Sequence, residues 1–209
     1  MEQATYPEAR SEPKEPLTFE AFLQQYDDTH AEWVNGEAIP KMPVSVEHQD
    51  TSMFLLSLLI NWVAYYNLGK VYHPPLLVKL SLPEGKEVAL EPDIVVILNT
   101  NTGRFVEQYF DGAPDVIVEI VSPTSRHNDR FVKYEEYEAA GVPEYWLIDP
   151  ERRYAECFQR DEAGLYRTAF SGSAGVYRSR VLEGLWLEVG WLWQRPLTPL
   201  PIVPKWCII

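Results

Sequence analysis

"APDVIVEIVSPTSRHNDRFVKYEEYEAAGVPEYWLID", residues 113–149, decides how the chain folds. Two of its runs, "DVIVEIV" and "EYWLID", are apolar almost throughout, the pattern of strands covered on both faces. Between them, "DRFVKYEEYEAAG" has helical spacing. Asn128 or Asp129 is placed to cap it, and Gly141 falls just past its end with Pro143 beyond. A helix joining two buried strands is a crossover, so the strands are expected to be parallel neighbours. Two charges stand inside this apolar unit. Glu119 interrupts the first strand, and Lys133 lies on the helix stripe it shares with Tyr137, four residues on. Burying either charge alone is expensive, and burying them together is less so. The pair is therefore either a structural ion pair or part of a reactive site.

Working outward, "ALEPDIVVIL" (89–98) is a further buried-strand pattern, nearly all apolar after Asp93. The longest helical pattern is "SVEHQDTSMFLLSLLINWVAYYNLG" (45–69), which Ser45 can cap and Gly69 can end. His48, Ser52, Leu55, Leu59, Trp62 and Tyr66 share one face of it, which points His48 toward the core. "AEWVNGEAIPKM" (31–42) carries Asn-Gly between two strand-like runs, a hairpin with Glu32 in its first arm and Glu37 just after the turn. Thr18 can cap a short amphipathic helix in "LTFEAFLQQYDD" (17–28). "LLVKLSL" (76–82) reads as a strand, and "NTNTGRFVEQYFDGAP" (99–114) as a polar connection with room for a helical turn. "RRYAECFQR", "DEAG" and "LYRTAF" make a C-terminal hairpin, followed by one or two short strands within 176–193. This order predicts an α/β fold: a mixed β-sheet core flanked by helices, with an N-terminal hairpin and a C-terminal β-hairpin.

Composition bounds the function. Acidic residues outnumber basic ones by 31 to 18, a net charge of −13, which repels nucleic acid at long range but leaves room for a local basic groove or a bridging metal. The two cysteines, Cys157 and Cys207, cannot form a disulfide framework and fit a reducing compartment. With no apolar run long enough to cross a membrane and no signal-like N-terminus, a cytoplasmic location is expected. Residues 1–16 read as a disordered acidic tail, 17–195 as one folded domain, and 196–209 as a Pro-rich extension.

Three residues converge on one chemistry. Asp93 follows a proline at the head of a buried strand, Glu119 sits mid-strand, and Lys133 lies on the helix after it. Two carboxylates aimed at one point suit Mg²⁺ or Mn²⁺. A lysine beside them can orient or deprotonate an attacking water. These are the parts of a phosphodiester hydrolase. The ordered set "AEWVNGEAI", "EHQ", "EPDIVVI", "DVIVEIVSPTS", "DRFVKYEEY" and "GVPEYWLID" resembles the PD-(D/E)XK nuclease superfamily and, more narrowly, the Uma-type restriction endonuclease family, from about Leu17 to Trp193. The resemblance implies a restriction-endonuclease-like fold and a DNA substrate. It implies metal ligation by Asp93, Glu119 and the main-chain carbonyl of Ile120, with Lys133 positioning the water. Glu32, Glu37 and His48 match further family positions, as additional ligands or supporting residues. The chain departs from the superfamily motif at Val121, where the lysine two positions after the acid normally stands. Lys133, from the following helix, takes that role in the reading.

Arg126 and Arg130 lie near the site in sequence and are candidates for DNA-backbone contacts. A two-fold substrate invites a homodimer. The alternative reading is a catalytically inactive nuclease-like fold that binds DNA or a protein, favoured by Val121 and the net charge. A two-carboxylate sugar hydrolase is a third, and it leaves the lysine unexplained.

Overall fold

The computed structural model of the chain describes residues 15–26 and 29–194. The tail and extension expected at the two ends fall outside these residues, apart from 15 and 16. Among the described residues the fold is mixed α/β, as expected, but the strands divide into two six-stranded sheets and a small ribbon. In chain order the elements are α1 (Phe19–Gln25), β1 (Ala31–Val34), β2 (Glu37–Pro40), α2 (Val46–Tyr65), β3 (Gly69–Tyr72), β4 (Leu77–Ser81), β5 (Glu87–Leu90) and β6 (Ile94–Leu98). There follow β7 (Arg104–Val106), β8 (Tyr109–Asp111), β9 (Val116–Ile120), a π-helical turn (Asn128–Val132), α3 (Lys133–Ala140), β10 (Glu144–Asp149), β11 (Tyr154–Arg160), β12 (Tyr166–Gly172), β13 (Val176–Arg178) and β14 (Trp186–Glu188). No described helix is long and apolar enough to cross a membrane.

One sheet runs β12-β11-β10-β9-β6-β3, the other β2-β1-β5-β4-β8-β7. β9 and β10 are parallel neighbours, Glu119 opposite Leu147, as the crossover requires. The strands of the first sheet alternate cleanly. Ile94, Val96, Val116, Val118, Ile120, Trp146 and Ile148 pack toward α2 and the C-terminal segment. Val95, Ile97, Ile117, Tyr145 and Leu147 pack on the other face, against the second sheet and Tyr137 of α3. Both faces are covered, which is why these strands read as continuous apolar runs. Glu119 lies in the second face, facing the other sheet and α3.

The apolar run at 89–98 is not one strand. Glu91-Pro92-Asp93 breaks it, and the chain passes there from one sheet to the other, β5 pairing with β1 and β4, β6 with β3 and β9. Pro92 has no N–H to give a ladder. The exposed donors are taken by carboxylates instead: Glu91 N–H donates to Glu32 Oε1 (3.1 Å), and Ile120 N–H donates to Asp93 Oδ2 (2.7 Å).

Several local expectations are corrected. Gly69 does not end α2; the helix stops at Tyr65 and Asn67 takes the left-handed conformation, while Gly69 opens β3, where a Cβ would run into the Ile97 carbonyl. The connection at 99–114 holds the β7–β8 hairpin and no helical turn. Asn128 and Asp129 are not caps. Helical structure begins at Arg126, and both lie in the π-helical turn, in which Lys133 N–H donates to the Asn128 carbonyl five residues back. Thr18, Ser45, the Asn35-Gly36 turn and left-handed Gly141 perform as expected.

At the far end of β10, Glu144 is fully buried and accepts hydrogen bonds from the Tyr177 hydroxyl, Ser179 Oγ, the Trp146 indole and the Arg180 and Val181 main chain. It holds the segment around β13 against the sheet.

Candidate active site

The sheet change at 91–93 lays Asp93 beside the end of β9. Ile94 stands opposite Val118 in the antiparallel β6–β9 pair, so the register carries Asp93 to the level of Glu119. β1 contributes Glu32 from the adjoining sheet, and α2 contributes His48 from its first turn, fixed by the Ser45 cap. The π-helical turn and the start of α3 contribute Asp129 and Lys133. Together with Lys41 they line a cavity of about 300 Å³.

Lys133 is its hub. The ammonium donates to Glu119 Oε1 and Glu32 Oε1, each at 2.8 Å, and lies 3.8 Å from Asp129 Oδ1. Tyr137, one turn along α3, donates its hydroxyl to the same Glu119 oxygen at 2.7 Å. His48 Nε2 is 3.3 Å from Asp93 Oδ2, and its Nδ1 is buried without a hydrogen-bond partner among the described residues. Lys41 Nζ donates to the Glu91 carbonyl at 2.6 Å and lies 4.0 Å from Asp93 Oδ1.

The two central carboxylates are pushed apart in acidity. Burial raises Asp93, but the hydrogen bond to His48, the Lys41 ammonium and the Ile120 N–H outweigh it and hold the carboxyl below its ordinary value. Burial pushes Glu119 up to about 7, against the pull of Lys133 and with added repulsion from Asp129 and Asp93. For Lys133, burial works against the charge, but Glu119, Glu32 and Asp129 outweigh it and hold the ammonium well above its ordinary value. An ammonium so held donates hydrogen bonds to the carboxylates around it.

The structure thus brings together Asp93, Glu119, Lys133, Glu32, His48 and Ile120. It does not bring Glu37, which is exposed beside the hairpin turn, further along the hairpin than Glu32 and Ile39, and lines no part of the cavity. Arg126 and Arg130 also stand outside the cavity wall. Arg126 pairs with Glu151 (2.7 Å) and Asp149 (3.4 Å), and Arg130 with Glu156 and Asp149. Three members carry no early signal as site residues. Asp129 reads as a helix-cap candidate and Tyr137 as the i+4 neighbour of Lys133, and Lys41 sits in an unremarkable "PKMP" after the hairpin. Among the described residues, no group of three or more His, Cys, Asp or Glu side chains is arranged to hold a metal by itself.

A crystal structure of a "putative nuclease" from Anabaena variabilis superposes with a TM-score of 0.70 at 18% identity, covering 92% of this chain and 100% of that one. At this identity the likeness concerns the fold. No curated protein shows significant sequence similarity to the chain. Residues 19–190 match the family model Uma2, described as "Putative restriction endonuclease". With its fold, its cavity and this match over most of its length, the chain belongs to the Uma2 family.

Proposed function

We propose that the chain is a metal-dependent endonuclease that hydrolyses phosphodiester bonds of DNA. Asp93 and Glu119, with the Ile120 main-chain carbonyl, would hold Mg²⁺ or Mn²⁺, and Lys133 would position the attacking water. The observation that carries this reading is the meeting of buried Asp93 and Glu119, level with each other on adjoining strands, in one cavity with Lys133.

The donor set fits a hard cation. Mg²⁺ characteristically takes one or two protein carboxylates and fills its remaining positions with water and substrate. Both described hydrogen bonds to Glu119 fall on Oε1, and that of Ile120 falls on Asp93 Oδ2, which leaves Glu119 Oε2 and Asp93 Oδ1 for a cation. Four carboxylates face Lys133, Lys41 and His48 across the cavity. The repulsion that raises Glu119 is relieved when positive charge enters beside it. When bound, such an ion supplies Lewis acidity toward the phosphoryl oxygens and a lowered pKa for its water. The protein's own part is to orient. Lys133 and Tyr137 fix the Glu119 carboxylate from one side, and His48 and the Ile120 N–H fix Asp93 from another.

A second reading, the inactive nuclease-like binding fold, is favoured by one observation: the donors of Lys133 are directed at carboxylates, a network complete without a ligand. Nicking of supercoiled plasmid in Mg²⁺ or Mn²⁺ separates the two. Cleavage by the native chain and none by Glu119→Ala, at matched folding, supports the enzyme. Absence of cleavage with any divalent ion moves the assignment to the binding fold. Pairing into a two-fold dimer and a cytoplasmic setting belong to the same proposal, the first tested by light scattering.

A further inference from the structure

We infer that Lys41 is the side chain that meets the phosphate of the bound strand, in front of the buried Lys133 and its carboxylates. The inference rests on the nuclease reading for the identity of the phosphate as that of a DNA strand.

A phosphodiester entering this cavity faces Glu32, Asp93, Glu119 and Asp129, on a chain with a net charge of −13. It needs a protein cation that reaches the opening. Three lining side chains are able to carry positive charge. The Lys133 side chain is 4% exposed and surrounded by three carboxylates. His48 is 7% exposed and directed at Asp93. Lys41 is 24% exposed, and its nearest partner is a neutral carbonyl, that of Glu91. The carboxylates beside it, on Glu91 and Asp93, lie at 3.8 and 4.0 Å, beyond hydrogen-bond range, so an ammonium with three donors has capacity left. The arginines that sequence places nearby are engaged with Glu151, Asp149 and Glu156 and line no part of the cavity.

Lys41 is also held in place before any ligand arrives. Its main-chain N–H donates to the His30 carbonyl at 2.9 Å, and Pro40 and Pro43 bracket it in the lip between β2 and α2. The ammonium stands on the Oδ1 side of Asp93, the oxygen that the Ile120 N–H leaves free.

The test is equilibrium binding of a short fluorescent DNA duplex by the full chain, with Ca²⁺ replacing Mg²⁺, read by anisotropy across a salt series. Kinetics in Mg²⁺ run alongside, and thermal melting confirms equal folding. Lys41→Gln is expected to weaken binding and to flatten the dependence of log K on log salt by about 0.9, the loss of one phosphate contact. It is expected to raise KM more than it lowers kcat, and Lys41→Arg restores most of both. An unchanged salt slope and KM in Lys41→Gln, with the native chain cleaving, would overturn the role of Lys41 and leave the nuclease reading standing. A flattened slope in a chain that cleaves nothing would keep the phosphate contact and remove the nuclease. A native chain that binds no DNA removes both.

Discussion

Lys133 Nζ stands 2.8 Å from Glu119 Oε1, and both side chains are almost wholly buried. Neither charge is tolerable there without the other. Lys133→Met leaves Glu32, Glu119 and Asp129 facing one another without the cation they share. It is expected to cost about 3–5 kcal/mol in urea unfolding, less where Glu119 takes up a proton in compensation. If the nuclease reading holds, this variant keeps Mn²⁺ binding and loses cleavage.

Glu119→Ala is expected to abolish both Mn²⁺ binding, followed by calorimetry, and plasmid nicking. Residual cleavage in this variant would remove Glu119 from the metal set.

Acidity gives the metal-free protein a stability slope of known sign. Glu119 is raised by burial to about 7, and Glu136 by burial and by the nearby Glu32 charge to about 7. Between the ordinary glutamate value of 4.5 and about 7, the folded chain holds protons that the unfolded chain has released. Their contribution is therefore complete below that window and lost as pH rises through it. Asp93, lowered in the fold, has the opposite sign: its contribution is present above 3.8 and lost on acidification. Thermal melting in chelator should fall as pH climbs toward 7, and Glu136→Gln should flatten that fall. A flat or rising profile across the window would contradict the burial of these carboxyls.

Glu144 offers a test remote from the cavity. Glu144→Ala strands buried donors of Tyr177, Trp146 and the main chain at Arg180 and Val181. A loss on the order of 3 kcal/mol or more is expected, with new protease cleavage around β13. Metal binding per folded molecule should not change.

Glu37→Ala is the matched control. An exposed glutamate beside a hairpin turn is expected to change stability by less than about 0.5 kcal/mol and leave nicking unaltered.

The chain's sequence carries the buried core more openly than the site. β9, α3 and β10 were legible because strands covered on both faces leave an unbroken apolar record, and a left-handed Gly141 marks where the helix stops. Glu119 and Lys133 were legible as candidates because charges inside such runs demand partners, Asp93 because it heads one, and Glu32 and His48 through the family resemblance. What stayed hidden depends on three-dimensional closure. The division into two sheets turns on Glu91 and Ile120 giving their N–H groups to side chains, which no periodicity records. Lys41 looks like any surface lysine until the hairpin lip folds over Asp93. For Arg126 and Arg130 too, closeness in sequence to Lys133 did not reveal their pairing with Asp149, Glu151 and Glu156.

The wide turn at Asn128–Val132 sets the phase of everything after it. Each residue advances an α-helix by about 100°, so one residue deleted between Lys133 and Tyr137 would turn one of them away from Glu119 while β10 stayed anchored beyond Gly141. The site's alignment is thus stored in a residue count as much as in residue identity, and a length change touching no lining side chain would dismantle it.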